Sequence, residues 1–178
     1  PKGGEILRDS GGRPIGVFRE RASGLVSRAR RSGSIRRSRT DIREALRRTI
    51  KLADEACLSN GVTSFQDAGS SFGTIDMFKE MLDKGELHTR LWVMIRTGNG
   101  LLARRMADYR MIGYGEHHLT VRAVKCSIDG ALGPRGAWLL EPYDDLKSSR
   151  GLETTTVADV TEMARLAMKH RFQACVHA

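Results

Sequence analysis

Lys125 lies in the run Val121-Arg122-Ala123-Val124-Lys125-Cys126-Ser127-Ile128-Asp129, which opens into Gly130-Ala131-Leu132-Gly133-Pro134-Arg135-Gly136-Ala137. Side chains alternate across a strand, so Val121, Ala123, Lys125, Ser127 and Asp129 share one face. That face is small until Lys125, which predicts a lysine buried at the C-terminal end of a strand. Burial disfavours an ammonium. A neutral amine can act as a base, form a Schiff base, or capture carbon dioxide as a carbamate whose two oxygens bridge metal ions. The alternative is a lysine paired with Asp129 or another carboxylate. His177 follows a second apolar strand, Phe172 to Val176, and precedes only Ala178. A neutral imidazole at a strand end is either a zinc ligand or a hydrogen-bonded core residue.

Three further groups could assist. Arg135, in the glycine-rich loop, can grip a substrate carboxylate with both arms or hold the loop through backbone carbonyls. Asp67 and Asp129 sit where strands end, and Asp67 reads either as an acceptor behind the site or as a turn former. His88, His117, His118 and His170 precede strands and are read as surface residues at the opposite end.

The elements that must position these groups alternate. Asp41 with Glu44 reads as a capping box before Ile42, Ala45, Leu46, Ile50, Ala53, Ala56 and Cys57, and Asn60-Gly61 ends that helix. Val62 to Phe65 reads as a strand that delivers Gln66-Asp67-Ala68-Gly69 at its end. A helix over Thr74 to Lys84, a strand over Leu91 to Ile95, a helix after Gly98-Asn99-Gly100 and a strand over Leu119 to Ile128 follow. Thr156 with Asp159 opens the last helix, and Phe172 to Val176 is the last strand. The order α-β-α-β-α-β-α-β implies an α/β protein with a parallel sheet, either an open doubly wound sheet or a barrel. No G-x-G-x-x-G or P-loop sequence follows a strand.

The chain has 178 residues, 40% hydrophobic and 29% charged, the composition of a soluble globular domain. No run approaches a membrane span, which excludes a membrane partner of that kind. Cys57, Cys126 and Cys175 are odd in number and far apart, as expected of reduced thiols in a cytoplasmic protein. The net charge of +9 is uneven: residues 1–51 hold 15 Lys and Arg against 5 Asp and Glu. The run Arg28-Ala29-Arg30-Arg31-Ser32-Gly33-Ser34-Ile35-Arg36-Arg37-Ser38-Arg39 is the source. It reads as a mobile, solvated connection over residues 27 to 39. The competing reading is a basic module that binds nucleic acid or an acidic partner. No aromatic residue interleaves the arginines for base stacking, which argues against nucleic acid. Residues 1–40 are thus an irregular basic lead-in, with a hairpin or loop around Arg8-Asp9-Ser10-Gly11-Gly12-Arg13-Pro14, and residues 41–178 are the domain proper. With Pro1 in place of Met and Ala178 directly after a strand, the chain reads as an internal piece of a longer protein.

Several segments resemble the amidohydrolase superfamily, in the branch that contains N-substituted formamide deformylase. They are Gly3-Gly4-Glu5-Ile6, Asp9 through Glu20, Gly61-Val62-Thr63-Ser64-Phe65-Gln66-Asp67-Ala68-Gly69, Val124 through Ala137, Leu140-Glu141-Pro142-Tyr143, Arg150-Gly151-Leu152 and Val176-His177-Ala178. The block from Lys125 to Tyr143 is the most specific. The resemblance implies a partial (β/α)8 TIM barrel containing strands about 2 to 5 of the eight. It also implies a divalent metal, zinc, as one or two ions, and hydrolysis of a small amide-like C–N bond through a metal-activated water. Lys125, carboxylated, would be the fourth-strand ligand and His177 the fifth-strand ligand, with Asp129, Arg135 and Asp67 behind them or facing substrate. The family's first-strand H-x-H, sixth-strand His and eighth-strand proton-transfer Asp have no counterpart here, and Pro134 stands where a small polar residue is expected. The isolated piece is therefore expected to be inactive and, with open sheet edges, prone to homo-oligomerise. A non-catalytic family member is the remaining alternative.

Overall fold

A computed structural model describes residues 2–32 and 38–178. The chain divides into two compact units, one gathering Pro1–Ile35, Cys126–Val160 and Val176–Ala178, the other Arg36–Lys125 and Thr161–Cys175.

The first unit begins with an antiparallel hairpin, β1 (Gly4–Arg8) and β2 (Pro14–Glu20). Asp9 organises its turn, accepting from the Gly11 and Arg13 N–H groups at 3.0 and 2.9 Å. Helix α1 (Ser23–Ser32) follows. The expectation of a mobile stretch from residue 27 is corrected as far as residue 32, which is helical. Residues 33–37, the rest of the basic run's centre, lie outside the described residues.

The second unit opens on α2 (Arg39–Ser59). Its cap is Ser38, not Asp41: the Asp41 N–H donates to Ser38 Oγ at 3.0 Å and the Ser38 N–H returns to Asp41 Oδ2 at 2.9 Å. Asp41 is the third helical residue of the capping box, so the helix starts earlier than its apolar stripe suggests. Asn60 caps the other end and Gly61 takes φ 73°, which glycine adopts without strain.

Three parallel strands then stack in the order β3 (Ser64–Ser70), β4 (Arg90–Ile95), β6 (Leu119–Ser127). Helix α3 (Phe72–Asp83) connects β3 to β4. Helix α4 (Asn99–Arg105) and a 3-10 turn (Met106–Tyr109) lie between β4 and β6. Long crossovers of this kind are what parallel pairing requires. The core is continuous: Val93, Ile95, Leu119, Val121, Ala123 and Val124 from the sheet meet Ile75, Met77, Met81, Leu102 and Met106 from the helices, all essentially inaccessible. Each of the larger side chains contributes roughly 1.5–3 kcal/mol by leaving water.

The sheet is mixed rather than wholly parallel. Between the 3-10 turn and β6 the chain inserts β5 (Met111–Gly113), antiparallel to β6 at Met111 and Val121. A one-turn α5 (Tyr114–His117) reverses the chain through left-handed Gly115 and Glu116. Three residues and one paired position are too short to leave a period, so the sequence showed neither. Helix α6 (Val157–Lys169) opens at Thr156, whose hydroxyl accepts from the Asp159 N–H at 3.1 Å. It leads to β7 (Gln173–His177), which also pairs with β6.

A polar seam joins α2 to α3. Arg47 reaches Glu80 and Glu86, each at 2.5 Å, Arg43 bonds the other Glu80 oxygen, and Lys84 donates to Glu80 at 2.8 Å. Two arginines of the basic half are thereby neutralised within the fold. The Lys84 hydrogen bond first, then Arg47 and the charges of Lys84 and Arg43, hold the Glu80 carboxyl down at about 2. A carboxyl lowered on folding stabilises the native state above its ordinary value of 4.5, and this stabilisation is lost as pH falls toward 2. E80Q should therefore lower the melting temperature at neutral pH and flatten the fall in stability between pH 5 and 2. Parallel acid curves for the two proteins would show that the seam contributes nothing.

Candidate functional site

In the first unit, the end of β6 and the end of β7 are pinned together. The Ile128 N–H donates to the His177 carbonyl at 2.9 Å, and the Thr154 and Thr155 N–H groups donate to the Ile128 carbonyl at 2.7 and 3.2 Å. The Thr154 hydroxyl donates to the Ser127 carbonyl at 2.8 Å. This clamp fixes Asp129, which is 5% exposed. Asp129 Oδ2 accepts from the Trp138 N–H at 2.8 Å. Its Oδ1 accepts no hydrogen bond among the described residues, although it is buried. Leaving such an oxygen unpaired costs about 1–3 kcal/mol. The ring of His177 lies beside it, Nε2 at 3.9 Å from Oδ1. The structure thus brings together two of the expected residues, which are nearly fifty positions apart in sequence.

The glycine-rich loop folds back on itself. Gly130 donates to the Gly136 carbonyl at 3.0 Å, and Leu152 donates to the same carbonyl at 3.2 Å. Arg135 sits at φ 59° in this loop. Its guanidinium grips Asp145 with both arms, Nε at 3.0 Å from Oδ1 and Nη2 at 2.6 Å from Oδ2. The hydrogen bond and charge of Asp145 push the Arg135 guanidinium further up, and Arg135 holds the Asp145 carboxyl below its ordinary range. An internal carboxylate therefore occupies the fork, where the sequence suggested a substrate carboxylate or backbone carbonyls.

Glu20 is a residue that sequence reasoning missed. It ends β2 at φ 47°, an uncommon conformation for a residue with a side chain. Its carboxylate lies over the loop glycines: a Cβ on Gly130 or Gly136 would stand 2.2 or 2.5 Å from Glu20 Oε1. The glycines are the only trace of this in the sequence, since they leave the room the carboxylate fills.

In the second unit, Lys125 is near the end of β6. The expectation of burial is corrected: Lys125 is part-exposed, as are Cys126 and Ser127 after it, whereas Ala123 and Val124 before it are buried. The strand leaves the core at its C-terminal end, so the upstream pattern does not extend to the lysine. No ion pair of Lys125 occurs among the described residues. Asp67 lies inside β3, not beyond it, because the strand runs on to Ser70. Its Oδ1 accepts from the Gly69 N–H at 2.8 Å and its Oδ2 from the Ser70 hydroxyl at 2.7 Å. Both oxygens serve the place where the β3–β4 register shifts. His88 and His117 are exposed, and His118 and His170 are part-exposed.

Among the described residues, no three His, Cys, Asp or Glu side chains converge as a metal site. What the first unit offers is a single donor: the half-exposed His177 ring has an Nδ1 that no hydrogen bond claims among the described residues. An imidazole nitrogen backed by a buried carboxylate suits a divalent metal ion. No described helix is long and apolar enough to cross a membrane.

The sequence pattern of the Amidohydrolase family matches residues 1–178. The chain is 30% identical to the Protein LONG AFTER FAR-RED 3 of Arabidopsis thaliana, across 100% of the chain and 31% of that protein. It is 26% identical to the YtcJ protein of Bacillus subtilis (strain 168), named as an amidohydrolase, across 100% of the chain and 32% of that protein. It thus spans about a third of the length of these curated relatives. Among solved structures it is similar to an uncharacterized metal-dependent hydrolase from Pyrococcus furiosus (TM-score 0.67, 24% identity, 98% of this chain and 35% of that one). A second, from Pyrococcus horikoshii OT3, gives a TM-score of 0.69 at 19% identity, over 97% of this chain and 34% of that one. These two likenesses are of fold.

Proposed function

The chain belongs to the amidohydrolase family, and from that premise we propose that it is part of a metal-dependent hydrolase acting on small amide-like C–N bonds, in the branch of N-substituted formamide deformylase. In this reading residues 41–178 are a portion of a (β/α)8 barrel, residues 1–40 are its lead-in, and the enzyme is cytoplasmic. The observation that carries it is the His177 ring at a strand end, with Nδ1 unclaimed and a buried carboxylate at its other nitrogen.

Lys125, in carboxylated form, and His177 would hold the metal, one or two divalent ions and zinc by preference. When bound, such an ion polarises a carbonyl and brings the pKa of a water toward about 7. Everything else is the work of the chain itself. Asp129 buttresses His177. The Arg135–Asp145 pair fixes the loop that follows β6. Glu20 places a carboxylate over that loop, where it can accept from a substrate N–H. Asp67 holds the end of β3. Further ligands and the proton-transfer group come from outside these residues, so the 178-residue chain alone is expected to be inactive and to self-associate through open sheet edges.

Metal analysis and amide hydrolysis, measured on the longest natural form of the protein, test this. Wild type should carry divalent metal, and Lys125→Ala and His177→Ala should each lose metal and at least about 100-fold in kcat/KM. Variants with unchanged metal content and rate would overturn the assignment. Measurable hydrolysis by the isolated 178-residue chain would show that the piece is sufficient.

A further inference from the structure

We propose that Asp129 is the positioning residue of His177: its buried Oδ1 accepts the His177 Nε2–H and so leaves Nδ1 as the nitrogen that donates to metal. The inference rests on the proposed function for the metal, but the pairing itself stands on geometry.

Asp129 cannot turn away. One oxygen is fixed by the Trp138 N–H at 2.8 Å, and the Thr154 contacts hold the backbone on either side of Ile128. The other oxygen is buried and without a partner. Buried carboxylate oxygens almost always accept a hydrogen bond, and His177 Nε2, at 3.9 Å, is a donor within reach of a small ring rotation. Nor is the neighbourhood accidental. The Ile128–His177 backbone bond sets the register of the two strand ends, so the ring is delivered beside the carboxylate whenever β7 is in place.

A neutral imidazole carries its proton on one nitrogen, and the partner of that nitrogen decides which one is left with a lone pair. A carboxylate only accepts, so Nε2 is the protonated nitrogen here. An asparagine would reverse this. Its oxygen must still take the Trp138 N–H, which turns its NH2 toward His177. Nε2 then becomes the acceptor and the proton moves to Nδ1, blocking it as a ligand.

Nitrogen-15 NMR of the histidine rings in the metal-free chain, at a pH where the ring is neutral, reads the tautomer directly. Wild type should show His177 as Nε2–H, and Asp129→Asn should convert it to Nδ1–H. A wild-type ring protonated on Nδ1 overturns the proposal, and this reading needs no variant to fold. A tautomer unchanged in Asp129→Asn overturns it too, whatever the metal does. Zinc titration adds the second arm: Asp129→Asn should weaken binding about 10- to 100-fold in the wild-type background and have no further effect in His177→Ala. A further loss in the His177→Ala background would make Asp129 a direct ligand and overturn the positioning role. A converted tautomer, together with no metal taken up by the longest natural form of the protein, supports the pairing and sinks the proposed function instead.

Discussion

Gly151→Ala is expected to destabilise the chain by roughly 3–5 kcal/mol, toward the upper end of what single substitutions do. A Cβ at this position would stand 1.8 Å from the Ala137 carbonyl oxygen, 2.5 Å from its carbon and 3.1 Å from the Trp138 nitrogen. Those are backbone atoms, and they have nowhere to go. The Trp138 N–H is held by Asp129, the Leu152 N–H by the Gly136 carbonyl, and the Leu139 N–H by the Arg150 carbonyl. Gly151 also takes φ 88°, which a side chain strains. The loop can relieve the clash only by giving up the Asp129–Trp138 bond, so the damage reaches the His177 neighbourhood. Chemical denaturation measures it. Gly133→Ala is the control, because nothing lies within 4 Å of its Cβ position, and its change should stay within about 0.5 kcal/mol. If the two variants unfold alike, the loop does not close as described.

Asp54→Ala is expected to cost about 2–4 kcal/mol by stranding buried donors. Asp54 is 5% exposed on α2 and caps the turn that leads into β4. Its Oδ1 accepts from the Thr89 N–H at 2.8 Å, and its Oδ2 lies 3.2 Å from the His88 nitrogen and 3.1 Å from His88 Nδ1. Burial pushes the Asp54 carboxyl up, but hydrogen bonds from Thr89 and then His88 outweigh it and hold the group below its ordinary 3.8. A lowered carboxyl stabilises the fold above that pH and ceases to do so as acid protonates it. The difference between wild type and Asp54→Ala should thus narrow below pH 4, and Asp54→Asn, which keeps one acceptor, should cost less than Ala. An alanine variant within 0.5 kcal/mol of wild type, the level of an ordinary surface change, would mean that the turn does not depend on this cap.

Much of the architecture was legible from spacing. The stripes of α2 and α3, the apolar runs of β4 and β6 and the Thr156–Asp159 cap of α6 each left a period or a capping pattern. Helix α1 was not read from spacing, and its Leu25 and Val26 stay exposed. β5 and the left-handed turn at Gly115 and Glu116 are set by tertiary pairing over a few residues. For the site, residue types pointed to Asp129 and His177, but their meeting is decided by strand register, which no local pattern encodes. Lys125 shows the opposite error: a local pattern was extended past the point where β6 leaves the core. Glu20 left no signal of its own, since its role depends on glycines far along the chain.

The division of the chain also orders events in time. One unit draws its first ninety or so residues from a single run in which neighbouring elements pair, and contacts of short separation form early. The other is stitched from three separate stretches, and the Ile128–His177 bond closes a loop of about fifty residues. Asp129 and His177 are therefore expected to come into place late in folding. The part of the molecule best suited to chemistry is then the part expected to be lost first when the chain is only partly folded.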